Sequence, residues 1–161
     1  MIVTNIIGPR KVNLMSPSSL AQHVLEITSI ADEQARALRE KYNIQMVNIL
    51  KDHEYLKEEG PLADPLVEYL NQYELADLKK LHVLAKVGEQ PDRLKGGSRS
   101  LRDVFMDLEL TPPGTPPHKG DKQSYIEFFK NKIFRLPVLL TDSFDICREH
   151  EIDPDEELAK I

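Results

Sequence analysis

The sequence has no tryptophan, a single cysteine (Cys147) and only 6% aromatic residues. One cysteine cannot form an internal disulfide, and one thiol needs three further ligands to hold zinc, so a disulfide scaffold is excluded. No run of residues approaches the roughly 20 apolar residues of a membrane span. The apolar residues at the start precede Arg10 and Lys11, which is the reverse of the order in a secretory signal. We therefore expect a cytoplasmic protein that does not enter a membrane.

What the chain does contain suits one soluble helical domain spanning residues 1–161. It has 161 residues, of which 40% are hydrophobic and 30% charged, enough apolar material for a core. The 27 acidic residues outnumber the 21 basic ones and give a net charge of -6. Such a surface should be repelled by phosphate backbones and anionic membranes, so we do not expect nucleic acid to bind the protein as a whole.

Helical periodicity predicts an all-α protein, an irregular multi-helix bundle. Ser16 and Pro17 are typical of a helix start, and the apolar residues that follow recur at intervals of three or four. These residues are Leu20, Val24, Ile27, Ala31, Ala35, Leu38 and Tyr42. A second helical segment is expected after Asn43. Further helix starts are predicted at four capping residues, Asp64, Ser100, Asp121 and Asp153.

Three segments are predicted to differ from the bundle. Residues 1–15 form an extended arm, because β-branched residues dominate its apolar part (Ile2, Val3, Ile6 and Ile7). Residues 111–120 hold four prolines, which exclude helix and indicate an exposed loop. Residues 151–161 form an acidic C-terminal segment.

Three details of the helices can also be predicted. The helix after Asp64 runs almost directly into the next one, so the two are expected to form a helical hairpin. Gly88 is expected to cap the end of the second helix. Pro137 either kinks a helix or starts a new one.

The order of these pieces resembles a known family. The helix start at Ser16-Pro17, the segment from Ile49 to Glu89 and the run FRLPVLLTDSFDI are together similar to an uncharacterised bacterial family of small helical proteins, a domain of unknown function. Members of that family carry a helical hairpin that ends in Gly-Arg-Gly-Asp, where this sequence has Lys86-Val87-Gly88-Glu89. The resemblance implies an all-α fold and a bacterial source, and it supplies no catalytic residue.

The clearest local charge pattern surrounds a Gly-Gly pair. Between Lys86 and Arg102, five basic residues outnumber two acidic ones, which gives a local charge of +3. A glycine-rich turn before a helix exposes backbone N–H groups that attract phosphate or carboxylate. A solvated loop is the plainer interpretation. The candidate anion-binding residues are Arg93, Lys95, Gly96, Gly97, Ser98, Arg99 and Arg102.

The five histidines do not form a recognisable metal motif, since they are dispersed and His-Glu-x-x-His is absent. Cys147 and His150 are one helical turn apart, but two neighbouring ligands are common by chance. Asp52 and Glu54 flank His53, yet sequence neighbours on a helix do not face each other. We therefore assign no metal ligand, no cofactor and no catalytic residue.

Three functions are compatible with the sequence, in order of preference. The first is a non-enzymatic interaction or regulatory module that binds a protein partner or a second copy of itself, because the arm at residues 1–15 is more apolar than a free tail needs. The second is binding of a phosphorylated ligand or nucleic acid by the basic Gly-Gly loop at 93–102. The third is a metal-dependent enzyme that uses nearby acidic residues and some of His53, His82, Cys147 and His150.

Overall fold

A computed structural model describes residues 20–42, 64–94 and 99–161, which form seven α-helices and no strand. The helices are α1 (Leu20–Tyr42), α2 (Pro65–Leu70), α3 (Leu75–Glu89), α4 (Leu101–Glu109), α5 (Lys122–Asn131), α6 (Leu136–Glu149) and α7 (Pro154–Ala159), with a 3-10 helix (Pro91–Leu94) between α3 and α4. The all-α prediction is confirmed. None of the described helices is long and apolar enough to cross a membrane. The arm predicted at residues 1–15 and the helical segment predicted after Asn43 lie outside the described residues.

Helix α3 is the centre of the bundle. It packs most extensively against α6, and it also contacts α4, α5 and the 3-10 helix. Its sequence has apolar residues around most of its circumference, which is the pattern of a helix surrounded by others. Its buried residues are Leu78, Leu81, His82, Val83, Leu84, Ala85 and Val87.

Helix α1 covers α2 and α6 with the apolar stripe that the sequence predicts. Six residues of the stripe are buried, namely Leu20, Val24, Ile27, Ala31, Ala35 and Leu38. The first described residue of α1 is tied to the acidic C-terminal segment, because the Leu20 N–H donates to Asp155 Oδ1 at 3.0 Å. The segment at 151–161 is therefore a packed part of the bundle, with Leu158 fully buried.

The predicted helix starts are confirmed where the structure describes them. Four residues each accept a hydrogen bond from a backbone N–H in the first turn of their helix: Asp64, Ser100, Asp121 and Asp153. Pro137 occupies the first turn of α6, so it starts a new helix. Residues 111–120 form the predicted connection between α4 and α5, and most of them are exposed.

Two predictions about the middle of the chain are wrong. Helix α2 packs mainly on α1 and α5 and does not pair with α3 as a hairpin. One reason is that Gln34 of α1 accepts a hydrogen bond from the Leu66 N–H at 2.9 Å, which ties the start of α2 to α1.

Gly88 does not cap a helix, because it lies inside α3. A Cβ at this position would lie 2.0 Å from the carbonyl oxygen of Leu139 in α6. Glycine is therefore required for the close approach of two helix backbones.

Candidate functional site

Four charged side chains meet where the end of α3 approaches the start of α6. Lys86 and Glu89 lie in the last turn of α3, while Lys132 and Arg135 lie in the turn between α5 and α6. Contact between the two helices at Gly88 brings these segments together. We call Lys86, Glu89, Lys132 and Arg135 the cationic cluster, because three of its four members are positively charged.

Glu89 is at the centre of the cationic cluster. Its Oε1 accepts a hydrogen bond from Lys86 Nζ at 3.3 Å, and its Oε2 accepts from Lys132 Nζ at 2.8 Å and from Arg135 Nη2 at 2.9 Å. Partial burial opposes ionisation of Glu89, but the hydrogen bonds and charges of Lys132 and Lys86 outweigh it and lower the pKa of this carboxyl to about 2. Glu89 is therefore ionised at neutral pH.

An aromatic side chain fixes the two lysines of the cluster. The ring centroid of Phe128, from α5, lies 5.3 Å from Lys86 Nζ and 5.2 Å from Lys132 Nζ. Ammonium groups at such distances are attracted to the ring. His82 packs nearly perpendicular to the same ring, with centroids 4.6 Å apart. The lysines are thus held by contacts on two sides, the ring and Glu89.

His82 borders the cationic cluster but does not add to its charge. Its side chain is buried, and burial, together with the charges of Lys86 and Arg93, lowers its pKa to about 4. The imidazole is therefore neutral at pH 7.

The structure describes three of the seven residues predicted to bind an anion. Arg93 lies on the 3-10 helix, where its Nε donates to Gln90 Oε1 at 2.6 Å. Arg99 forms an ion pair with Asp107, and Arg102 is exposed on α4. The other four residues, Lys95, Gly96, Gly97 and Ser98, lie outside the described part of the chain. Of the predicted set, Arg93 is the residue whose charge acts on His82, the neighbour of Phe128.

The start of α4 already has an anion of its own. Ser100 and Asp103 form a capping box, in which the Ser100 N–H donates to Asp103 Oδ2 at 2.8 Å. The Asp103 carboxylate occupies the helix N-terminus at which the sequence predicts an external anion. It would compete with such an anion for the backbone N–H groups. Anion binding by residues 93–102 as a group stays a prediction.

Sequence reasoning missed Lys132 and Arg135. They are 43 and 46 residues away from Glu89, so no local motif connects them. The weak signal that was present is a pair of basic residues shortly before Pro137, at the boundary between two helices. Their meeting with Glu89 depends on how the helices pack.

A second polar feature connects α1 with the end of α2. Tyr69 donates a hydrogen bond to Glu26, and the Tyr73 hydroxyl donates to the Tyr69 hydroxyl at 3.2 Å. The Tyr73 oxygen must therefore accept the hydrogen bond from His23 Nδ1, which lies 3.0 Å away. His23 is buried, and its Nε2 has no hydrogen-bond partner among the described residues.

The described residues contain no group of three or more His, Cys, Asp or Glu side chains that could hold a metal ion. Cys147 is buried whereas His150 is exposed, so these two predicted neighbours do not converge. Burial, aided by the charge of Glu157, raises the pKa of Cys147 to about 11 and keeps the thiol protonated. Asp52, His53 and Glu54 lie outside the described residues.

An apolar groove of about 350 Å³ lies between α3 and α4. Its lining residues are Leu75, Ala76, Lys79, Lys80, Phe105 and Ile161. Lys79 is paired with Glu109 at 3.0 Å. The groove is thus apolar with a basic rim, whereas the cationic cluster is built of charged side chains.

Comparison of the chain with models of known protein families, with curated proteins and with solved structures finds no match. The resemblance to an uncharacterised bacterial family stays a prediction, and a function has to be inferred from the residues themselves.

Proposed function

We propose that this protein is a non-enzymatic interaction module that recognises a phosphate group of its ligand at the cationic cluster. One observation carries the proposal: three cations, Lys86, Lys132 and Arg135, converge on the single carboxylate of Glu89. Three positive charges against one negative charge leave +2 in this small region of a chain whose net charge is -6.

The unbalanced charge favours an external anion. Positive groups held near one another repel, and Glu89 compensates for only one of them. A phosphate group would compensate for the others and would form charge-assisted hydrogen bonds, which are stronger than neutral ones. Such a site attracts anions locally even though the protein as a whole is acidic.

The cluster is also suitable for binding because its side chains are ordered before a ligand arrives. Phe128 and Glu89 both contact the two lysines, so little side-chain freedom is left to lose on binding. The Arg135 side chain is 34% exposed and remains accessible from solvent. Arginine is well suited to phosphate because its planar guanidinium presents several N–H donors.

The proposal combines the first two functions that the sequence suggests. It keeps an interaction module and assigns its anion contact to the cationic cluster in preference to the Gly-Gly loop. Self-association through the arm at residues 1–15 stays a prediction, since these residues are outside the described ones.

The test is calorimetric titration with inorganic phosphate of the wild type and two variants. Arg135→Met removes a cluster cation, while Arg148→Met removes an exposed cation at the opposite end of α6, roughly 20 Å away at 1.5 Å per residue. Losing one hydrogen bond to a charged group costs about 1.5–3 kcal/mol, so Arg135→Met should weaken binding at least about tenfold.

The control variant Arg148→Met should bind phosphate like the wild type. Absence of binding to the wild type would contradict the proposal. Equal weakening in both variants would also contradict it, because the effect would then come from net charge and not from the cluster. Far-UV circular dichroism of each variant confirms that it is folded.

A further inference from the structure

We infer that the cationic cluster selects a phosphate monoester over a phosphate diester, and that Glu89 limits the affinity for both by competing with the ligand for the three cations. The inference rests on the proposed function and specifies its ligand class. A monoester carries its phosphate at the end of a molecule, as in a phosphorylated side chain or sugar. A diester is the linkage of a nucleic-acid backbone.

Charge balance favours the monoester. Lys86, Lys132 and Arg135 supply three positive charges, and Glu89 supplies one negative charge, so the cluster has a net charge of +2. Near neutral pH a monoester carries close to two negative charges, whereas a diester carries one. The monoester therefore neutralises more of the excess positive charge than a diester does.

The arrangement of donors favours the monoester as well. Glu89 uses both carboxylate oxygens, since Oε1 binds Lys86 and Oε2 binds Lys132 and Arg135. An ammonium group has three N–H donors and a guanidinium has five, so donors remain beyond those directed to Glu89. A monoester has three terminal oxygens to share them, and a diester has two.

Glu89 is an internal competitor because it is a permanently ionised acceptor at the centre of the site. A ligand has to draw the same cations toward itself against the negative charge of Glu89, which repels a dianion about twice as strongly as a monoanion. Without the Glu89 carboxylate both ligands should bind more tightly. Removing it should help a monoester at least as much as a diester.

The experiment compares methyl phosphate with dimethyl phosphate in NMR titrations of the ¹⁵N-labelled protein at pH 8. The wild type should bind methyl phosphate at least about tenfold more tightly, since the diester forgoes a charge-assisted hydrogen bond. Glu89→Gln should bind methyl phosphate at least about fivefold more tightly than the wild type, because a repulsion between charges at contact distance is removed, and the ratio should not fall. Glu109→Gln removes a carboxylate from the separate pair with Lys79 and should leave both affinities unchanged.

The outcomes separate this inference from the proposed function. Equal binding of the two ligands by the wild type overturns the inference and leaves phosphate recognition intact. Unchanged or weaker binding of methyl phosphate by folded Glu89→Gln overturns the role of Glu89 as a competitor. If neither ligand binds the wild type or Glu89→Gln, the proposed function itself fails. If Glu89→Gln does not fold, the comparison of the two ligands on the wild type decides the ligand class. Lys132→Met, which should weaken methyl phosphate more than dimethyl phosphate, then tests the charge balance.

Discussion

Replacing Gly88 by alanine tests the close contact of α3 and α6 that builds the cationic cluster. The added Cβ would lie 2.0 Å from the carbonyl oxygen of Leu139 and 2.8 Å from its carbonyl carbon. Both are backbone atoms, so no change of side-chain rotamer can relieve the overlap. Helix α6 would have to move away from α3, and Arg135 would move with it.

Two opposing effects determine how much Gly88→Ala changes the free energy of unfolding. Alanine is favoured over glycine inside a helix by about 1 kcal/mol. Forcing additional atoms into a packed interior usually costs about 1–3 kcal/mol, and a clash with rigid backbone belongs at or above the upper end of that range. We therefore expect Gly88→Ala to lower the free energy of unfolding by about 2 kcal/mol.

Urea unfolding followed by far-UV circular dichroism measures this change, since the chain has no tryptophan to serve as a fluorescent probe. The matched control is Ala76→Gly at an exposed position of the same helix, which should cost about 1 kcal/mol through helix propensity alone. A Gly88→Ala variant that is as stable as the wild type, or more stable, would refute the close contact.

Acid should destabilise the protein in two steps. The folded-state pKa of His82 is lowered from 6.5 to about 4 and that of Glu89 from 4.5 to about 2, so each contributes stability that falls as the pH drops through its own range. In Glu89→Gln the unfolding free energy should no longer fall with pH in the lower range, while the step at higher pH remains. Loss of both steps would contradict the assignment of one step to each residue. The buried thiol of Cys147 should react with a disulfide reagent at pH 8 only after unfolding, because burial raises its pKa to about 11. Rapid reaction of the native protein would disprove its burial. In its neutral form, His23 should carry its proton on Nδ1, because the Tyr73 hydroxyl donates its hydrogen bond to Tyr69. ¹⁵N NMR that shows the proton on Nε2 would contradict this direction of hydrogen bonding.

The features that the sequence predicts correctly are local ones. The stripe of α1 depends only on the helical repeat, and the capping box of Ser100 and Asp103 depends on residues three positions apart. Local chemistry of this kind acts in the same way wherever the helix packs. The all-α class, the helix starts and the proline-rich loop at 111–120 follow from it.

The features that the sequence does not predict depend on tertiary packing. A glycine near the end of a helix suggests a cap, and only the position of Leu139 shows that Gly88 allows a backbone contact. Likewise, no residue close to Glu89 in the sequence predicts its hydrogen bonds to Lys132 and Arg135. Proximity in the chain predicts that the short α2 pairs with α3, whereas Gln34 holds it to α1.

The most direct test of the cationic cluster is to follow the backbone amide signals of the ¹⁵N-labelled wild type while inorganic phosphate is added. Our account predicts that the largest, saturable shifts map to residues 86–93 and 128–136, the segments that carry the cluster and Phe128. Shifts centred on residues 95–102, or small shifts spread over lysines throughout the surface, would contradict it.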